Sequence, residues 1–257
     1  MINFAGSSMA ERIVARKSAT HPKTARTKSS TPARAPRPGA KKPVQRESLT
    51  EQAYAQIEEA IVTLQIAPGT TVSELSLSEM TGIGRTPIRE AIQRLAREHL
   101  VLILPQRGLL VPEIDVKKQL KLLKTRREVE RLVCRSAARS ATPQEREVFA
   151  QLAAEFTEAS KANDDVSFVR LDREFNELCL IAARNEFAEA SMRLMHGLAR
   201  RFWYVHYKQA ADLPEMARLH GAVAKAIADG DMDRAGQALD ALLDNIEEFT
   251  RATLVEI

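Results

Sequence analysis

Several residue types are scarce in this sequence, and each scarcity removes a class of protein. Among 257 residues there are two cysteines, Cys134 and Cys179. Both lie in helix-like apolar patterns without metal-type spacing, so they are read as core residues in a reducing interior, with no disulfide framework expected. The longest apolar runs, such as "LVLILP" at 100 to 105, fall far short of the roughly 20 residues a membrane helix requires, and no membrane span or membrane partner is expected. A nucleophile paired with a base, a His-Glu-x-x-His sequence and a glycine-rich phosphate loop are all missing, which argues against an enzyme. A metal-dependent hydrolase is kept only as a remote alternative.

What the chain does contain is a sharp division of charge. Residues 1–46 carry eleven Lys and Arg against one acid, a net +10, while residues 47–257 carry twenty-seven against thirty-three, a net −6. The basic segment, with "ARTKSSTPARAPRPGAKKP", has too few large apolar residues to offset the entropy of ordering, so it is read as a disordered tail. Beside a nucleic-acid-binding domain such a tail adds salt-sensitive attraction to phosphates. It can equally be a solvated extension, with Met9 available as a second start. The composition also suits a transit peptide, although no amphipathic arginine helix accompanies it.

Residues 47–115 read as a first folded domain. Ser48 followed by Glu51 is a capping-box pattern, and Ala53, Ile57, Ala60, Ile61 and Leu64 continue at helical spacing, predicting a helix over 49–66 that stops at "APG". A short extended piece near Val72 and a short helix near 76–81 follow, closed by Gly82. Next comes "TGIGRTPIREAIQRLAREHLV", 81–101. At 100° per residue, Ile88, Ala91, Ile92 and Leu95 share one side of a helix, while Arg85, Thr86, Arg89 and Gln93 share another. Pro87 belongs in the first turn, and the free amides and positive dipole of that end favour anions. Two short strands, near 100–104 and 109–112, then flank a tip of Pro105, Gln106, Arg107 and Gly108. A short helix, a longer helix and a hairpin make a winged helix-turn-helix. Its second helix enters the major groove, where arginine pairs bidentately with guanine, and its hairpin tip, with Arg107, lies near the backbone or minor groove. The domain holds five arginines, no lysine and ten acids, so DNA binding must rest on local placement.

From Lys117 onward helical periodicity dominates. Further helices are expected after the first near 144–160, 164–183, 185–208, 212–229 and 231–252. Residues 116–257 are therefore read as an all-α bundle of six or seven helices, and the fold class as mainly α. The aromatics of "RRFWYVHY", 200–207, suit core packing better than base stacking, and His196 and His206 are read as surface or core residues.

With these motifs in place the sequence resembles the GntR superfamily of bacterial transcription regulators. The resemblance rests on "PGT" at 68–70, "GIGRTPIREAIQRLAREHLV" at 82–101 and "PQRGLLV" at 105–111. It implies that Arg85 and Arg89 contact bases and phosphates, Thr86 contacts a phosphate and Gly108 turns the wing. The family's usual serine before the first arginine is Gly84 here, its usual glycine before the closing Leu-Val is His99, and Leu75 stands where some members carry a further DNA-contacting arginine. The second region resembles the FCD effector domain of the FadR-like branch, through "TRREVE" at 125–130, "LDREFNELCLIAARNEF" at 171–187 and "LHGAVAKAIADGDMDRA" at 219–235.

Many FCD domains hold a metal with an aspartate, a histidine four residues later and two further histidines. Asp172 and His220 match, whereas Asn176 and Leu242 replace the other two. Asparagine is a poor ligand and leucine none, so no cofactor is expected, a divalent metal at Asp172 and His220 being the minor alternative. Asp172, Asn176 and His220, with Arg126, can instead line a metal-free pocket for a small effector such as a carboxylate, or form a satisfied polar cluster. The resemblance implies a homodimeric cytoplasmic regulator associated with the nucleoid, binding double-stranded operator DNA and answering to a small molecule. A constitutive or architectural DNA binder with a degenerate effector site is the alternative.

Overall fold

The computed structural model describes residues 48–210 and 212–253; the basic tail read at 1–46 lies outside them. The described chain opens with α1, Leu49–Val62, whose Ser48 side chain accepts from the Glu51 amide. This helix ends four residues before the sequence predicts. Leu64 takes a left-handed conformation (φ 62°), and the Ile66 amide donates back to the Ala60 carbonyl. That turn drives Ile66 into the core instead of extending the helix.

Strand β1, Thr71–Val72, leads to α2, Glu74–Thr81, which begins two residues before the expected start. The reason is a cap formed by two serines: Ser73 accepts from the Ser76 amide while Ser76 accepts from the Ser73 amide. Gly82 closes α2 in the left-handed region. Helix α3, Arg85–Arg97, buries Ile88, Ala91, Ile92 and Leu95. Strands β2, Leu102–Leu104, and β3, Gly108–Leu110, form the hairpin, and β1 pairs antiparallel with β3 to complete a sheet of order β1-β3-β2. At Gly108 (φ 92°) a Cβ would lie 2.6 Å from the Val72 carbonyl oxygen, so only glycine lets β1 close on the wing. One apolar core, from Ala53 and Ile57 through Ile88 and Leu95 to Leu109 and Val111, joins these elements.

The rest of the described chain is helical: α4, Val116–Ser140; α5, Pro143–Ala162; α6, Asp165–Ala183; α7, Glu186–Ala210; α8, Leu213–Asp229; and α9, Met232–Ala252. Their starts are fixed by side chains that accept free first-turn amides, among them Asp115, Asp164, Asp212 and Asp231, and by the Thr142–Glu145 capping box with Pro143 in the first turn. Helix α4 packs against α6, α7 and α9, and α8 against α5 and α9. Cys134 and Cys179 are buried and unbridged. Among the described residues no helix is long and apolar enough to cross a membrane.

Candidate functional site

Two groups of side chains stand out, and they lie on different elements. The first is the outer face of α3. Arg85, Thr86, Arg89 and Gln93 are all exposed, on the side away from the buried Ile88–Leu95 stripe. Gly84 takes the cap position without a side-chain hydrogen bond, so the first amides of α3 are left for solvent or an incoming anion. The Arg89 Nε donates to the Glu74 carboxylate of α2 at 2.7 Å. Arg107 is exposed at the wing tip, where Gln106 takes the left-handed conformation.

Arg94 has a different role, as its position on the helix suggests. Its guanidinium sits 3.6 Å above the Tyr54 ring centroid, and it bonds Glu98 at 3.1 Å and Glu51 at 3.3 Å. Tyr54 in turn donates to the buried Glu98. Arg94 therefore ties α3 to α1 within the domain and is not presented to a ligand.

The second group lies inside the helical region and unites all four residues expected for the effector. His220 on α8 stands among the rings of Phe156, Phe168 and Phe175, with centroids 5.3, 5.4 and 5.9 Å away. Its Nδ1 faces the Met216 carbonyl at 2.8 Å; a carbonyl can only accept, so Nδ1 carries a proton. The Nε2 edge is turned to Asp172 Oδ1 at 3.1 Å, and the Asn176 amide donates to the same oxygen at 2.9 Å. Burial pushes the Asp172 carboxyl up, but the His220 hydrogen bond and the charges of His220 and Arg126 outweigh it and hold Asp172 below the ordinary carboxylate range. Arg126 reaches this group electrostatically, but its guanidinium is engaged by Glu130 one turn along α4, with Nε to Oε1 at 2.9 Å.

The metal set that the resemblance to the FCD domain implies does not fit here. Asn176 directs its amide nitrogen at Asp172, and Leu242 is buried in the apolar core of α9. Both ring nitrogens of His220 face oxygen atoms, and among the described residues no three His, Cys, Asp or Glu side chains are placed to share an ion.

Sequence reasoning overlooked two members of this cluster. Glu130 comes with its partner Arg126 at i,i+4 spacing. His196, on α7, is pushed down to about 4 by burial and by the nearby Arg126 charge, so it stands neutral at pH 7. Its signal was its place four residues after the buried Met192, on the inward stripe of the helix.

Helix α7 also reaches the first domain. Arg200 Nη1 bonds both oxygens of Glu58 on α1, at 2.8 and 2.9 Å, and Nη2 reaches Glu59 at 3.3 Å. Leu198 packs on the first domain's core, a Cβ on Gly197 would meet Leu100 at 2.6 Å, and Arg201 donates to the Pro112 carbonyl.

An exposed arginine-bearing helix beside a three-stranded wing, joined to a helical bundle with a polar interior, defines a winged-helix DNA-binding regulator. Comparison with known proteins agrees. Residues 49–111 match the profile of bacterial regulatory proteins of the gntR family, and residues 121–245 match the FCD domain. The chain is 27% identical over 203 residues to the HTH-type transcriptional repressor RspR of Escherichia coli K12, covering 79% of this chain and 89% of that protein. It is 24% identical over 200 residues to the Nta operon transcriptional regulator of Aminobacter aminovorans, covering 76% and 93%. The solved structure of E. coli McbR superposes with a TM-score of 0.67 at 20% identity, over 81% of this chain and 99% of that one. The chain thus belongs to the GntR family, with an FCD second domain; it is a DNA-binding transcription regulator and not an enzyme.

Proposed function

We propose that the protein is a homodimeric repressor of a catabolic or metabolic operon, released from its operator by a small polar metabolite, and that it works in the bacterial cytoplasm at the nucleoid. In this reading residues 47–115 bind DNA and 116–257 bind effector and partner subunit. Arg85, Thr86, Arg89 and Gln93 meet the major groove, and Arg107 and Gly108 bring the wing to the backbone or minor groove. The observation that carries the reading is the continuity of α7, which takes part in the polar cluster at His196 and grips the DNA-binding domain at Arg200. The name of RspR supports repression in this chain's case.

The effector expected first is an organic acid. Arg126 is the cluster's guanidinium, and a carboxylate ligand would take it from Glu130, converting an internal ion pair into a ligand contact. Leu242 and the completed Asp172–His220–Asn176 pairing favour a second reading, a regulator whose cluster is only structural. A thermal-shift panel of mono-, di- and hydroxycarboxylic acids, followed by titration of hits with and without DNA selected by the protein from a random pool, separates the two. Ligand affinity that changes on DNA binding is the expected result, because coupling between two sites is reciprocal. Affinity indifferent to DNA would leave the constitutive reading.

A further inference from the structure

The ion pair between Arg89 and Glu74 joins the helix proposed to read DNA to the one before it. Both side chains are largely exposed, at 66% and 41%, and such pairs contribute little to folding. Its geometry, however, is specific. Glu74 occupies the first turn of α2, whose start is pinned by the reciprocal Ser73–Ser76 cap, so its backbone position is fixed. The carboxylate takes the Arg89 Nε at 2.7 Å. A guanidinium held at Nε keeps its two terminal nitrogens, the end-on pair that matches the O6 and N7 acceptors of guanine. The opposite face of α3 is buried, which fixes where Arg89 starts, and Glu74 fixes where it ends.

We propose that Glu74 is a positioning residue for base reading: it aims the free edge of Arg89 into the groove and so sets the base preference at the position Arg89 contacts. This rests on the proposed groove contact of Arg89. Glu74 does not attract DNA itself, since a carboxylate beside the phosphates repels them. Its two effects therefore have opposite signs. Removing it sacrifices pre-alignment, which costs specific affinity, while it relieves repulsion, which raises non-specific affinity.

The test uses the full chain and DNA selected from a random pool by the wild-type protein. For Glu74→Ala, specific affinity falls by about tenfold, the scale of one misaligned bidentate contact, and affinity for unrelated duplex DNA is equal or higher. Base preference relaxes at the position that Arg89→Ala also relaxes, and at no other. Glu74→Gln, which keeps an acceptor for Nε, retains most of the preference. If Glu74→Ala keeps wild-type preference at the Arg89 position, or loses it evenly across the site, the positioning role is overturned. Failure of Arg89→Ala to change any preference would instead overturn the groove assignment of Arg89, a result visible separately.

Discussion

At the scale of single residues, departures from the family pattern have measurable consequences. His99 stands at the usual glycine position and takes φ 59°, the left-handed region, as the chain turns from α3 to β2. A side chain there costs about 1–2 kcal/mol, partly offset because glycine is freer in the unfolded state. His99→Gly should therefore stabilise the protein by about 0.5–1 kcal/mol in urea unfolding, and a loss of stability would mean the exposed imidazole makes a compensating contact. His196 gives a pH signature. Its ordinary 6.5 is depressed to about 4 by burial first and the Arg126 charge second, so the unfolded chain takes up the proton before the folded one does. The contribution is complete above about pH 6.5 and is lost as pH falls from there toward about 4, by on the order of 3 kcal/mol. His196→Gln should flatten unfolding free energy over that window relative to wild type, and an identical slope in both proteins would rule out His196 as its source.

At the scale of elements, three arginines of α3 divide into two kinds. Arg85 and Arg89 are exposed on the outer face, whereas Arg94 is spent on Tyr54, Glu98 and Glu51. Arg85→Ala and Arg89→Ala are each expected to reduce specific DNA binding by about 1–3 kcal/mol, read by fluorescence anisotropy against selected and unrelated duplexes. Arg94→Ala should instead lower the melting midpoint and leave base preference unchanged, and a preference that shifts would move Arg94 to the reading face. This division was legible in the sequence because a 100° rotation per residue separates the two faces once Ile88, Ala91, Ile92 and Leu95 are assigned to the core. Helix starts were legible where a Ser or Thr cap residue is followed three residues on by glutamate, as at Ser48 with Glu51 and Thr142 with Glu145. The early end of α1 was not, because Leu64 in a left-handed turn carries no local signal; the burial of Ile66, a tertiary effect, fixes it. The start of α2 was missed because a Ser73–Ser76 pair substitutes for the usual glutamate of a capping box. In the polar cluster, the resemblance to the FCD domain brought out Asp172, Asn176 and His220, and the stripe through Met192 turns His196 inward; what His196 meets there is set by the tertiary packing of α7, which no local pattern encodes.

At the scale of the whole molecule, the question is how a change in the helical region reaches the arginines of α3. A single helix spans the distance: α7 presents His196 to the cluster and, one turn on, Arg200 to Glu58. Glu58 is buried, and that burial raises its carboxyl above the ordinary range despite Arg200, so the clasp holds a charge that water would hold more easily. A pair of this kind is sensitive to small displacement, because losing the guanidinium leaves the carboxylate in place without its counter-charge. Arg200→Ala should cost about 1–2 kcal/mol, the buried-pair penalty discounted for the half-exposed arginine. Stability alone would not show transmission. The sharper measurement is the coupling free energy between an effector found in the acid panel and operator DNA, of the order of 1–3 kcal/mol in the intact protein. With α7 as the connecting element, Arg200→Ala retains ligand binding at the cluster and DNA binding at α3 while their coupling falls toward zero. A variant that still couples them at full strength would mean the two domains communicate by another route, such as the packing of Gly197 and Leu198 on the first domain's core or the bond from Arg201 to the Pro112 carbonyl.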